Sequence, residues 1–178
     1  MGEPHENGSR LFWFIFCSVF LVGCQSKTAN QIFGNGTYFT ESPYIVEKVT
    51  LVNGTCVTWN FRLHHSMYYE GQYVYGDFNR DGLKDAAVII GESEGGSSDF
   101  VSLAFLIHDG RQFVHKKSAY LGNAIIVNSL KEHDGKVIVD MFVHQEGDCM
   151  AGPTQRVKKV YEYNGPDSQI AALLASGK

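Results

Sequence analysis

Gly76-Asp77-Phe78-Asn79-Arg80-Asp81-Gly82-Leu83-Lys84-Asp85-Ala86-Ala87-Val88-Ile89-Ile90 is the stretch on which the reading of this chain turns. An acidic, glycine-kinked loop runs directly into an apolar run. Asp77, Asn79, Asp81 and Asp85 stand at loop positions 1, 3, 5 and 9, and Gly82 stands at position 6, where a calcium loop turns sharply. Calcium is a hard cation that takes six to eight oxygen ligands, so a short loop can hold it only where oxygen-bearing side chains recur at alternate positions. The carbonyl of Leu83 would be the backbone ligand at position 7. An EF-hand also needs a bidentate Glu at position 12. Here that position is Val88, inside the apolar run, which excludes an EF-hand. The flanks agree: Tyr73-Val74-Tyr75 and Ala87-Val88-Ile89-Ile90 have strand character, not helical character. A metal-free turn is the alternative, since Asn and Asp bond nearby backbone and Gly82 supplies an unusual φ.

Working outward, the rest of the chain repeats the same grammar. Tyr44 to Val52 and Thr55 to Leu63 are β-branched and aromatic, and Asn53-Gly54 between them is a strong hairpin signal. His64 to Gly71 reads as a polar-aromatic connection with His64 and His65 on the surface. Gly91 to Asp99 reads as a hairpin loop with three more carboxylates, close in sequence to the acidic loop. Phe100 to Ile107 pairs through Asp109-Gly110 with Gln112 to Ser118. Asn123 to Leu130 pairs through Asp134-Gly135 with Lys136 to Val143, and Arg156 to Tyr163 is a last strand. Short glycine turns without long helical patterns predict an all-β, antiparallel meander forming a sandwich or barrel-like domain. Poor alternation in Ala86 to Ile90 and Val137 to Phe142 predicts strands covered on both faces. Ser168 to Ala175 has weak helical character, so a short C-terminal helix is expected.

Leu11 to Gly23 is apolar throughout but shorter than the roughly 20 residues that span a bilayer, and it fits a signal-peptide core. It ends in Leu21-Val22-Gly23-Cys24, which resembles the bacterial lipobox. That resemblance implies a diacylated Cys24 as the mature N-terminus, and Gln25 after it implies sorting to the outer membrane. The expected division is a signal peptide over 1–23, a tether over 24–35, a β-domain over 36–165 and a tail over 166–178. Residues 24–178 amount to one domain's worth of chain, enough to build a core.

With 15 Lys and Arg against 19 Asp and Glu, the chain is mildly acidic at −4, which leaves no electrostatic footprint for nucleic acid. Of the four cysteines, Cys17 lies in the signal and Cys24 carries the lipid. Cys56 and Cys149 remain, and in an oxidising periplasm two leftover cysteines invite a disulfide.

Two motifs carry resemblances. Asp77 to Asp85 resembles the strand-loop-strand calcium loops of FG-GAP repeats, in which an Asp at position 9 closes the site. A single copy argues against a full propeller. The order of this loop, Tyr120-Leu121-Gly122, and His144 to Val157 with its Pro153-Thr154-Gln155 is similar to a family of uncharacterised bacterial secreted proteins and lipoproteins. The similarity spans roughly residues 36 to 163. It implies a cell-envelope address and no activity. Where that family often pairs cysteines before Pro-Thr-Gln, this chain has Ala151-Gly152.

Calcium at Asp77, Asn79, Asp81, Leu83 and Asp85 is the expected cofactor. His144, Glu146 and Asp148 form a second candidate, as a ligand-contacting loop. The expected role is not enzymatic: a calcium-stabilised binding or scaffolding β-domain, held to the periplasmic face of the outer membrane by its lipid and meeting an envelope protein or glycan. One alternative is an envelope inhibitor or stress protein, lysozyme-inhibitor-like, whose acidic loop is only a turn. Another is a hydrolase using a Cys–His pair in the 144–149 loop, although no Gly-x-Ser-x-Gly elbow surrounds any serine.

Overall fold

The computed structural model describes residues 27–40, 48–60, 63–96, 99–149, 152–165 and 172–174. The lipobox and Cys24 lie outside them. The chain runs α1 (Ala29–Phe33), β1 (Thr37–Phe39), β2 (Lys48–Thr50), β3 (Thr55–Asn60), β4 (Leu63–Gly76), β5 (Asp85–Ser93), β6 (Phe100–His108), β7 (Phe113–Asn123), β8 (Ile126–His133), β9 (Lys136–Val143), β10 (Gln155–Glu162) and β11 (Ala172–Leu174). Every pairing is antiparallel. Five strands form one sheet in the order β3-β4-β5-β6-β7, four form a second in the order β11-β10-β9-β8, and β1 and β2 form a small third. The result is an all-β sandwich and not a closed barrel. Among the described residues no helix is long and apolar enough to cross a membrane.

The alternation of β5 explains the layering. Ala87 and Ile89 point between the two large sheets. There they meet Leu103 and Phe105 of β6 and Val137, Val139 and Met141 of β9. Ala86, Val88 and Ile90 point the other way, into a second core closed by Phe33 of α1, Tyr38 of β1, and Val49 and Leu51 around β2. The central sheet is therefore covered on both faces, as the apolar run predicts, and burying a side chain such as Phe105 stabilises the fold by about 2–3 kcal/mol. β9 differs from expectation. Its inward residues are fully buried, but Ile138 and Phe142 on the other face are only half-buried. Among the described residues no third layer covers that outer face; Asp140 there is covered by a bidentate pairing with Arg156, both contacts at 2.8 Å.

Four further expectations need correction. Ala29–Phe33, placed in the tether, is a capped helical turn: Thr28 and Gln31 bond reciprocally in a capping box, and Phe33 is buried against Tyr69, Tyr75 and Phe113. The folded unit thus begins before residue 36. The polar connection at 64–71 belongs to β4, a 14-residue strand that absorbs its irregularity in a register shift between Tyr69 and Tyr73, with Gly71 at φ 79°. Gly91, Glu92 and Ser93 belong to β5, so the following loop sits at the far end of that strand from the acidic loop. In the tail, Ala172–Leu174 is a short strand that pairs with the exposed edge of β10, in place of the expected helix. Asn53-Gly54 does turn as expected, with positive φ at both residues. Its hairpin closes only through Val52 and Thr55, because β2 leaves to pair with β1.

Candidate functional site

The acidic loop leaves β4 at Gly76 and enters β5 at Asp85, and its side chains organise its own backbone. Asp77 accepts from the N–H of Asp81 at 3.1 Å and of Gly82 at 3.0 Å. Asn79 Oδ1 accepts from the Asp81 N–H at 3.1 Å, and Asp81 accepts from the Leu83 N–H at 2.8 Å. The Asn79 amide donates to Asp81 at 2.7 Å. This last bond, with the Leu83 N–H, holds the Asp81 carboxyl below its usual range. Arg80 at φ 61° and Gly82 at φ 84° supply the two left-handed residues that let the loop close on itself. Asp77 is half-buried, whereas Asn79, Asp81, Gly82 and Leu83 are exposed.

Asp85 stands apart from the other three. It is fully buried, and both its oxygens are already satisfied: Oδ2 accepts from the N–H of Phe78 at 2.9 Å and of Asn79 at 3.3 Å, and Oδ1 accepts from the N–H of His108 at 2.8 Å. It clamps the start of the loop to the end of β6. The oxygens of Asp77, Asn79, Asp81 and the Leu83 carbonyl, two carboxylates and two neutral oxygens, lie nearer the surface than Asp85, although those of Asp77, Asn79 and Asp81 also accept hydrogen bonds within the loop. Among the described residues no three His, Cys, Asp or Glu side chains are grouped to hold a metal ion.

The loop also bridges the sandwich. Arg80 reaches Glu162 of β10 at 3.7 Å, and Glu162 also meets Lys136 of β9 at 3.2 Å. A side chain at Gly135, in the turn between β8 and β9, would come within 3.4 Å of the Asp77 carbonyl.

The second candidate resolves into a clamp. Asp148 accepts from the N–H of Gln145 at 3.0 Å, from the N–H of Thr154 at 2.9 Å and from the Thr154 hydroxyl at 2.8 Å. These bonds, the Gln145 one foremost, hold its carboxyl below the usual range. The Pro153-Thr154-Gln155 element thus closes the loop that follows β9. His144 is turned elsewhere, its Nε2 donating to the Ala124 carbonyl at 2.9 Å, and Glu146 is exposed. His144, Glu146 and Asp148 do not converge on one point. The disulfide expectation is corrected as well: Cys56 and Cys149 are both free thiols. Cys56, in β3, packs against the second core beneath α1, whereas Cys149 is exposed in the loop after β9 of the other sheet. The central sheet's own packing keeps them in separate layers.

Three features escape a reading of the sequence. His65, expected on the surface, is buried with its Nε2 3.1 Å from Glu92 of β5, also buried. His115 is buried between Tyr38 and Phe39; its Nδ1 accepts from the Phe39 N–H at 2.9 Å, and burial pushes its imidazole down to about 4. A cleft of about 780 Å³ opens between α1, the β1–β2 sheet and the β6–β7 turn. A pair four positions apart on a helix would have been visible as a pattern; these partners lie 27 and 76 residues apart and leave none. Comparison of the chain with protein-family models, with curated proteins and with solved structures found no match.

Proposed function

We propose that this chain is a calcium-stabilised β-domain with a binding or scaffolding role at the bacterial cell envelope, tethered by lipid at Cys24 to the periplasmic face of the outer membrane. The observation that carries the calcium part is the position of the acidic loop. Its oxygens at Asp77, Asn79, Asp81 and Leu83 sit in the loop that joins β4 to β5, beside the end of β6. A cation held there would neutralise the Asp77 and Asp81 carboxylates and order that loop. With only two carboxylates in the set, affinity on the order of 10⁻⁴ to 10⁻³ M is expected, as in extracellular modules. The envelope part rests on Leu21-Val22-Gly23-Cys24 behind its apolar run. The partner in this reading is an envelope protein or glycan.

One observation favours a second reading. The loop's side chains already satisfy its backbone donors, so it can keep its shape as a metal-free turn, as an envelope inhibitor or stress protein would need. Thermal melts of wild type and Asp81→Ala, with millimolar calcium and with chelator, separate the two. Millimolar calcium is about 1–10 times the expected Kd and stabilises a folded state that alone binds it by about 0.4–1.4 kcal/mol. The wild type should melt higher with calcium and the variant should respond much less. An unchanged wild-type midpoint, with no binding heat by calorimetry, would leave the turn reading standing.

A further inference from the structure

The cleft between α1 and the β6–β7 turn has an electrostatic character opposite to that of the chain. The protein carries −4 overall. Yet the described residues lining this cleft include Lys27, Lys48, Arg111 and Lys116, and neither an Asp nor a Glu. The four cations come from four separate places: the residue before the α1 cap, the start of β2, the β6–β7 turn and β7. All four are exposed, and none forms an ion pair with another described residue. The nearby Asp109 turns its Oδ1 back onto the N–H of Arg111 and of Gln112, at 2.9 Å each, closing the turn that presents Arg111, and its carboxylate also feels the Arg111 charge without pairing with it.

The floor of the cleft is apolar. Phe33, Tyr38, Leu106 and Phe113 line it. The Tyr38 hydroxyl donates to the Phe33 carbonyl at 2.8 Å, and His115 holds the backbone of Phe39 from below. Lys48 lies over the Phe39 ring, 5.2 Å from its centroid, which keeps one cation at the rim. A volume of about 780 Å³ is in the range of small-molecule sites, which pair apolar walls with a few placed polar groups.

We propose that this cleft binds a small phosphate-bearing ligand with an apolar or ring portion, the anion meeting Lys48, Arg111 and their neighbours and the remainder packing on Phe39 and Phe113. Phosphate suits the site because several cations on different elements can share one multiply charged group. The inference does not rest on the calcium reading, whose loop is a separate feature of the chain.

The test uses the full purified chain with chelator present throughout, so that loss of calcium binding cannot be mistaken for loss of this site. The probes are 4-nitrophenyl phosphate, its uncharged glucoside counterpart, and vesicles of phosphatidylcholine with or without one quarter phosphatidylglycerol. Calorimetry and ligand-observed NMR read the small probes, and co-sedimentation reads the vesicles. Binding of the phosphate ester but not of the glucoside is expected, weakening roughly tenfold in Arg111→Glu and in Lys48→Glu, while Lys131→Glu in β8 leaves it unchanged. Capture by the anionic vesicles alone, released by the same two variants, identifies the phosphate as a lipid headgroup. Melting midpoints within a few degrees of wild type certify that the variants fold. Failure of both the phosphate ester and the anionic vesicles to bind, equal binding of the glucoside, or binding that Lys131→Glu weakens as much as Arg111→Glu does, overturns the proposal.

Discussion

Replacing Asp85 with Asn tests whether this carboxylate is a structural clamp. The native group accepts three backbone N–H bonds, two at 2.8–2.9 Å and one at 3.3 Å, and is fully buried. An amide of the same shape has only one oxygen. If that oxygen stays with Phe78 and Asn79, the NH₂ group faces the His108 N–H, donor against donor. Losing one charge-assisted bond costs about 1.5–3 kcal/mol, and the two that survive are weakened by loss of the charge. The total comes to about 3–4 kcal/mol, a large share of the 5–15 kcal/mol typical of a folded domain. With an m-value of about 2 kcal/mol/M, the urea midpoint should fall by about 1.5–2 M. The loss should be the same with calcium and with chelator, because the oxygens are spent on backbone. A midpoint within 0.5 M of wild type would refute the clamp. A loss seen only with calcium would make Asp85 a ligand.

The remaining predictions address other parts of the fold. His115 is held neutral, its folded value of about 4 lying below the ordinary 6.5, so the unfolded chain binds the extra proton first as pH falls. Stability should be unaffected above pH 6.5 and drop by about 3 kcal/mol between pH 6.5 and 4; in denaturant melts His115→Asn should flatten that part of the profile, and an unchanged slope would count against it. Mass spectrometry without reduction should find Cys56 and Cys149 unlinked, with Cys149 alkylated faster in the native state than half-buried Cys56; a linked peptide pair would contradict the packing. Gly91→Ala should destabilise β5 severely, since an added Cβ would clash with the Tyr68 ring, and a melting midpoint near wild type would show that the ring can move aside. Labelled palmitate should enter the wild type and not Cys24→Ser, and equal labelling of both would remove the lipid anchor.

The fold was legible where local chemistry and tertiary demand coincide. Ala86 to Ile90 reads as a doubly covered strand because both its faces are apolar, and both are buried. Asn53-Gly54 and Asp134-Gly135 read as turns because positive φ is needed at both residues of each, and both adopt it. Three of the departures share one cause. His64 to Gly71, Glu92 and Ala29–Phe33 read as connections because they contain polar groups or lie near a terminus. Each is recruited by a distant partner. Glu92 is tolerated in β5 because His65 meets it across the ladder, and Phe33 is drawn onto the aromatic face of β4. Polarity in a sequence marks exposure only when no partner is available, and partners separated by tens of residues leave no local trace.

The same argument separates the two kinds of site. Asp77, Asn79 and Asp81 are readable because a loop ligand set is local: alternate positions and a glycine turn suffice to bring its oxygens together. The motif nevertheless hides a division of labour. Loop position 9 is also the first residue of β5, and that position buries Asp85, so its carboxylate answers to the backbone of Phe78, Asn79 and His108. Asp148 went the same way, its acidity absorbed by Gln145 and Thr154. The cationic cleft has the opposite character. Lys27, Lys48, Arg111 and Lys116 sit in unrelated stretches, and only the placement of α1 and the β1–β2 sheet over the end of the central sheet gathers them along a cleft whose described lining holds no carboxylate. A site made of one loop can be inferred from spacing, whereas a site made of four elements exists only once the layers are stacked. For that reason the charge reversals at Lys48 and Arg111 probe the tertiary arrangement as directly as they probe the ligand.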